Sequence, residues 1–436
     1  MDTSANGVTA ARRAVRRGDL VVLSMLLAIF AAGCDGLFEV DGDWTTVDAA
    51  RPIQLPEMMV GAKTDLFQSY DSKIVWGDGL FGDEMNSVGT DPTIIDIDRR
   101  RAPSSSFGGA GRERSIGGGN YVLLQRASHV ATVAQERILA GEFPQIAAPY
   151  EDSPEYARVS AYDGFAKTWL ADMFCTLAFG GTGPELTSAQ TYELAEAQFT
   201  RAIEAANAEP EIRQAALVGR ARVRLILGDD AGALADARQV APELEMLATY
   251  STNSFPQRNR VHFRIWDWGN FSIDPSFVDL TIDDTDTLDP RVRIVKNPIP
   301  AREPTLDLYA PLKVPTAASP LRIATGDEAQ YIIAELVGGT EAVDIINAIR
   351  ARKGIEIMWT PVTGTTEEIR DKVIEERRRT LFLDGVRLGD LRRYIDRYGL
   401  DFFSTSVPHG GQMGDQTCLP LPDVERHNNP GLSGAG

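Results

Sequence analysis

Glu375-Glu376-Arg377-Arg378-Arg379-Thr380-Leu381-Phe382-Leu383-Asp384-Gly385-Val386-Arg387-Leu388-Gly389-Asp390-Leu391-Arg392-Arg393-Tyr394, near the C-terminus of the 436-residue chain, is the stretch from which the fold is read. Ahead of it, Thr365 and Glu368 have the spacing of a capping box, in which each side chain satisfies a backbone N–H that the first helical turn leaves unbonded. Ile369, Val373, Ile374 and Leu381 recur at helical spacing and predict one apolar face. Arg377 and Arg378 interrupt that face. A guanidinium is not buried without carboxylate or carbonyl partners, and Asp384, Asp390, Glu375 and Glu376 are the local candidates. Gly385 lets the chain bend into a second short helix through Leu391 to Tyr394. From spacing alone, a solvated basic helix is the competing reading.

The bulk composition narrows the class. With 43% hydrophobic and 24% charged residues the chain is an ordinary globular protein, long enough to bury a large core. A net charge of −18 argues against a nucleic-acid partner, since a phosphate binder needs a basic face. Three cysteines exclude a disulfide scaffold. Cys175 and Cys418 can pair in an oxidising compartment, but sequence does not fix their distance. The four histidines show no zinc-ligand spacing.

Arg12, Arg13, Arg16 and Arg17 precede the apolar run Leu20 to Ala32, which is too short to span a bilayer and fits a signal peptide. It ends in Ala31-Ala32-Gly33-Cys34, which resembles a bacterial lipobox with Cys34 as the acylated residue. An ordinary signal peptide or a membrane anchor with a chance cysteine is the competing reading. The expected organisation is a lipoprotein signal peptide (1–33), a lipidated tether (34–53) and a single helical domain (54–436). Asp35 bears on which membrane retains the lipoprotein.

Pro56 suits the first turn of a helix to about Ser72, with Met59, Ala62, Leu66 and Phe67 inward. From Tyr70 to Gly118 the chain reads as a long irregular insert around Trp76 and Phe81. Helix resumes over Asn120–Leu139, closed by Gly141. Ser153 and Pro154 start a longer helix whose apolar face contains Trp169, read as core, and which is expected to end at Gly180-Gly181. Thr187 and Gln190 cap the next helix. Its Ala195, Phe199 and Ala202 follow the A-x3-F-x2-A pattern of a tetratricopeptide helix. After the turn Gly228-Asp229-Asp230, Ala233 and Ala237 continue near the repeat period of about 34 residues. Periodicity vanishes from Tyr250 to Pro320, where Trp266, Trp268, Phe271, Phe277 and Tyr309 lie among Asn, Asp and Pro. Helical pattern returns at Gly326–Leu336 and Ala342–Arg352.

Several of these segments, taken in order, resemble the SusD/RagB family. Glu376-Arg377-Arg378, Asp384-Gly385, Arg387 and Asp390-Leu391-Arg392 match its C-terminal helix pair, although Thr380 stands where the family has Glu, and Asp384 replaces the Glu before the Gly. Ala178-Phe179-Gly180 fits the end of the family's long aromatic-rich helix, and Asp289-Pro290-Arg291 its D-P-R. Glu328, Tyr331, Ile332 and Ile333 fit a further helix, and Ile346, Asn347, Arg350, Arg352 and Gly354 the next. Leu419-Pro420-Leu421-Pro422 and Asn428-Asn429-Pro430-Gly431 match its closing segment. The resemblance implies a mainly α fold with tetratricopeptide-like helix pairs over about 120–250, irregular ligand-side loops over about 70–118 and 250–325, and C-terminal helices over about 326–400.

Catalysis has little support. There is no G-x-S-x-G elbow, P-loop or metal spacing, and the paired acids Asp283-Asp284, Glu375-Glu376 and Asp229-Asp230 read as solvated. No enzyme activity and no cofactor are expected. A sugar site wants aromatic platforms beside hydrogen-bonding groups. Trp76 with Asp83, Glu84 and Asn86, and Trp266 with Asp267, Trp268 and Asn270, supply both. The family builds its ligand site on loops from these two regions, which makes these residues the expected ligand-binding set. The competing reading has each Trp anchoring its loop against the helices. The resemblance implies a surface-exposed outer-membrane lipoprotein that captures an oligosaccharide or peptide for a SusC-like TonB-dependent transporter. An extracytoplasmic helical-repeat adaptor for a protein partner is the alternative.

Overall fold

The computed structural model describes residues 54–106, 119–283, 285–405 and 408–432. The chain divides into two units, residues 1–57 and 58–436, and of the first the described residues are 54–57, at the opening of the first helix. The signal peptide, Cys34 and the tether expected over 1–53 lie outside the described residues.

The architecture is mainly helical, with tetratricopeptide-like pairs. In chain order the helices are α1 (Leu55–Lys73), α2 (Pro92–Asp98), α3 (Gly119–Leu139), α4 (Pro154–Met173), α5 (Ser188–Glu204), α6 (Pro210–Leu227), α7 (Asp230–Ala237), α8 (Gly326–Val337), α9 (Gly339–Arg352), α10 (Thr366–Thr380), α11 (Arg387–Tyr398) and α12 (Asp423–Asn428). Short antiparallel pairs clip the connecting segments together: β1 (Met85–Ser87) with β5 (Phe271–Ile273), β2 (Thr176–Leu177) with β3 (Leu186–Thr187), β4 (Glu245–Ala248) with β8 (Leu321–Thr325), and β6 (Ile294–Lys296) with β7 (Tyr309–Pro311). Among the described residues no helix is long and apolar enough to cross a membrane.

The repeat pattern works by close approach. Helices α4, α5 and α6 pack in sequence, and Ala195, Phe199 and Ala202 of α5 are all buried. A Cβ on Gly164 of α4 or Gly219 of α6 would lie 2.7 or 2.4 Å from the Phe199 ring. Glycine at both positions thus makes the slot that the ring fills. Thr187 and Gln190 form the reciprocal capping box at the start of α5. Gly228 closes α6 in the left-handed region (φ 84°), and the Asp229 carboxylate then accepts from Gly232 N to begin α7.

The arginines of the opening stretch all have partners, with Arg377, Arg387 and Arg393 buried and Arg378, Arg379 and Arg392 half-buried, which rules out a solvated basic helix. Arg377 is paired with Asp390 (Nε–Oδ2 2.6 Å). Arg378 lies 3.9 Å over the Phe277 ring and donates to Ser276 Oγ. Glu375 accepts from Arg379, while Glu376 takes Arg350 and Arg291 from distant elements. Asp384 is not a partner of either expected arginine; it accepts from Lys313 and Arg322. Glu368 likewise departs from a reciprocal box. Thr365 Oγ1 accepts from Glu368 N, but the Glu368 carboxylate is taken by the backbone N–H groups of Val362, Thr363 and Gly364.

Two boundaries differ from the sequence reading. Helix α4 stops at Met173, ahead of Gly180, because Phe174 turns extended and Cys175 N donates to Leu419 O. Cys175 and Cys418 form a disulfide there, with Cα atoms 5.2 Å apart. Over its described residues, to Ser106, the expected irregular insert contains regular elements. Ile74–Asp83 is a wholly buried π-helical turn, followed by β1 and by α2, which Asp91 caps. Gly77 and Gly79 leave room for neighbours, since a Cβ there would lie 3.1 Å from Met173 and 2.8 Å from Met85, and the apolar side chains (Ile74, Val75, Leu80, Phe81) go to the core. Residues 107–118 fall outside the described set.

Candidate functional site

Trp76, Asp83, Glu84 and Asn86 are buried, so the expectation that they present a ligand platform does not hold in this structure. Trp76 is 4% exposed and packs edge-on to Phe271. Asp83 accepts from Arg387 Nε and Nη2 at 2.7 and 2.6 Å. Glu84 Oε1 accepts from Leu383 N at 2.9 Å, and Asn86 pairs with Ser272 across β1–β5 beside Asp98. The two acids that sequence assigned to a ligand instead seat the C-terminal segment, and the amide lies in the β1–β5 pair. Burial together with the Asp78 charge raises the Glu84 carboxyl to about 8.

The second region behaves differently. Asn259 starts a tight turn: its side chain accepts from His262 N, and its amide donates to Ser319 O. Arg260 anchors the turn to α1, donating from its backbone N and Nη1 to Asp71 and from Nη1 to Gln68 O. Helical turns then run to Asp267, and Trp268 N donates to Phe263 O. Gly269 (φ 62°) reverses the chain where a Cβ would meet Pro300 O at 2.9 Å. Trp266 and Trp268 are half-buried, Asp267 is exposed and Asn270 is buried.

An aromatic shelf results. Phe255, 51% exposed, packs edge-on to Phe263 at 4.8 Å, and Phe263 meets Trp268 at 4.8 Å. Arg264 lies behind it, buried between Trp268 (5.0 Å), Trp76 (5.3 Å) and Phe271 (5.6 Å). Burial and the neighbouring Arg260 charge lower the Arg264 guanidinium to about 10. Burial raises Asp71 to about 6 against the pull of Arg260. In front of the shelf opens a cleft of 170 Å³ lined by Gln68, Leu123, Arg126, Phe255, Pro256, Arg258, Arg260, Phe263 and Arg264. Apolar rings beside amide and guanidinium donors suit a ligand with C–H faces and hydroxyl or carbonyl edges.

None of the residues assigned from sequence lines this cleft; Trp268 supports it from behind Phe263. The lining was missed because Phe255 and Phe263 lie in an aperiodic stretch. A signal was present in Arg258, Arg260 and Arg264, three cations within seven positions of a chain with a net charge of −18. A larger hollow of 590 Å³ lies between Asp83, Asp274, Glu375, Arg378, Arg387 and Phe402. There the charged groups already pair, Asp83 with Arg387 and Arg378 with Glu375, which leaves less for a ligand.

Comparison with known proteins places the fold. Residues 328–433 match the model of the SusD family. Among solved structures, a SusD superfamily protein from Bacteroides vulgatus superposes with a TM-score of 0.64 at 16% identity, covering 86% of this chain and 97% of that one. A putative sugar binding protein from the same organism gives a TM-score of 0.63 at 17% identity over 87% and 98%. A laminarin binding SusD-like protein gives 0.59 at 15% identity over 86% and 97%. No curated protein matches the chain. The chain thus carries the SusD family pattern in its C-terminal quarter and takes the fold of SusD superfamily structures as a whole.

Proposed function

We propose that the protein captures an oligosaccharide (or a peptide) at the cleft fronted by Phe255 and Phe263 and hands it to a partner TonB-dependent transporter. The single observation that carries this reading is the half-exposed aromatic shelf beside Arg126, Arg258 and Gln68. Similarity to structures described as sugar binding and laminarin binding supports the ligand class. Trp266, Trp268 and Asn270 act from behind the shelf, holding the turn that presents it. Cys34, acylated after removal of the leader, anchors the chain at the outer membrane, facing outward. The chain supplies binding and no bond-making step.

Calorimetric titration with laminarin-type and other oligosaccharides tests the site. Phe255→Ala and Arg258→Ala should each weaken binding about tenfold, equivalent to about 1.4 kcal/mol. Unchanged affinity in both would sink the cleft. Mass spectrometry of the mature N-terminus checks the anchor, and co-purification of a large β-barrel checks the partner. A soluble partner without a barrel would favour an adaptor role instead.

A further inference from the structure

A second cavity, of 380 Å³, opens where the base of the β6–β7 hairpin meets β8 and the C-terminal ends of α9 and α10. It is lined by Pro290, Arg291, Arg293, Leu312, Lys313, Arg322, Lys353 and Thr380. Five of these side chains are cationic and none is acidic, in a chain whose net charge is −18. From this arrangement we infer an oxyanion-binding site, separate from the aromatic cleft, that takes a carboxylate, phosphate or sulfate group on a small molecule.

Part of that positive charge is structural. Arg291 is committed to Asp289 and Glu376, and donates to Thr380 Oγ1 as well. Helix C-termini are the wrong end for an anion, and their carbonyls take up some donors: Arg322 Nη2 donates to Thr380 O, and Lys313 Nζ to Phe382 O just past α10. What remains is directed elsewhere. Among the described residues, the carboxylates nearest Arg322 Nη1 are Glu245 and Asp327, at 3.7 and 3.9 Å, beyond hydrogen-bond reach. Lys313 Nζ is shared between Asp384 and Phe382 O, which leaves its third N–H for a ligand. Arg293 is exposed and makes no ion pair among the described residues, and Lys353 pairs only with Asp327, which Arg352 also holds.

A planar fork and an ammonium converging on one cavity are the donor set that carboxylate and phosphate oxygens fit. Lys313 supports the assignment. Burial and the adjacent Arg322 charge, against Asp384 and Glu84, lower its ammonium to about 8, and an added anion relieves that repulsion. The volume lies in the range of small-ligand sites, and the exposed Leu312 gives it one apolar wall.

The test is isothermal titration of the mature chain with inorganic phosphate and with glucuronate, at constant ionic strength set with chloride. Either anion should bind the wild-type chain, and the preferred one tells a free phosphate from an acidic sugar. Arg293→Gln and Lys353→Gln together should weaken that binding at least tenfold, while Phe255→Ala leaves it unchanged. Arg293→Gln alone removes a side chain without an ion-pair partner and so keeps the comparison valid if the double variant folds poorly; it should weaken binding severalfold. The inference fails if neither anion binds the wild-type chain, or if the Arg293 and Lys353 variants bind as tightly as wild type. Its failure leaves the aromatic cleft and its own titration untouched.

Discussion

Asp83 and Arg387, 304 positions apart in the sequence, form a bidentate ion pair with oxygen–nitrogen distances of 2.6 and 2.7 Å and both side chains buried. The pair fastens the π-helical turn after α1 to the start of α11. Removing Asp83 leaves the Arg387 charge buried without its ion-pair partner. Asp83→Ala is expected to cost about 3–5 kcal/mol of stability, while replacing both residues with apolar ones of similar volume should cost less. Urea unfolding of the two variants decides this. Equal losses would mean that packing, not charge, dominates there.

Gly219→Ala probes the slot around Phe199. Its Cβ would stand 2.4 Å from the ring, so the ring or helix α6 must move. Overpacking of this kind costs about 1–3 kcal/mol, and Phe199→Ala, which empties the slot, about 3–5 kcal/mol. Thermal unfolding of both proteins checks the order.

Acid stability should track Glu376. Its burial alone would raise the carboxyl, but Arg350 and Arg291 overcome it and hold the group at about 2, below the ordinary 4.5. A folded value below the unfolded one means that the contribution is complete above about pH 4.5 and is lost as the pH falls toward 2. Denaturation midpoints from pH 6 to pH 2.5 should fall for wild type and flatten for Glu376→Gln.

Glu84 has the opposite sign. A folded value near 8 against an ordinary 4.5 gives stability that is full below pH 4.5 and is lost as the pH rises through 8. Glu84→Gln keeps an oxygen for Leu383 N and cannot ionise. It should be more stable than wild type at pH 9 and close to it at pH 4. A variant less stable at both pH values would show that the carboxyl is needed for another reason.

Reduction should loosen the C-terminal tail. The Cys175–Cys418 disulfide closes a long loop, and removing a native bond of this kind typically costs about 2–5 kcal/mol. A Tm measured with and without reductant, and again on Cys175→Ser with Cys418→Ser, reads this directly.

The helical scaffold was legible because its signals are local. The Thr187 cap, the Ala195–Phe199–Ala202 spacing and the Gly228 stop each describe one turn of chain, and each has its expected place. The arginine stretch was half legible. Its need for acids could be read, and Asp390 was found for Arg377, but Glu376 and Asp384 turned to partners on other elements. The candidate site was legible only as a region. Composition marks Trp76 and Trp266 alike as loop aromatics; what separates them is that Trp76 is buried edge-on to Phe271 whereas Trp266 is half-buried. That outcome depends on contacts hundreds of residues away.

The timing of synthesis follows from the Asp83–Arg387 link. At usual elongation rates Asp83 leaves the ribosome roughly 15–60 s before Arg387, given their separation of 304 residues. Throughout that interval Asp83 lacks the arginine that neutralises it in the finished fold, whereas Asp78 has its partner Lys73 at hand in α1. A chain stopped short of Arg387 therefore lacks more than its last helices. It has lost the means to close its own beginning.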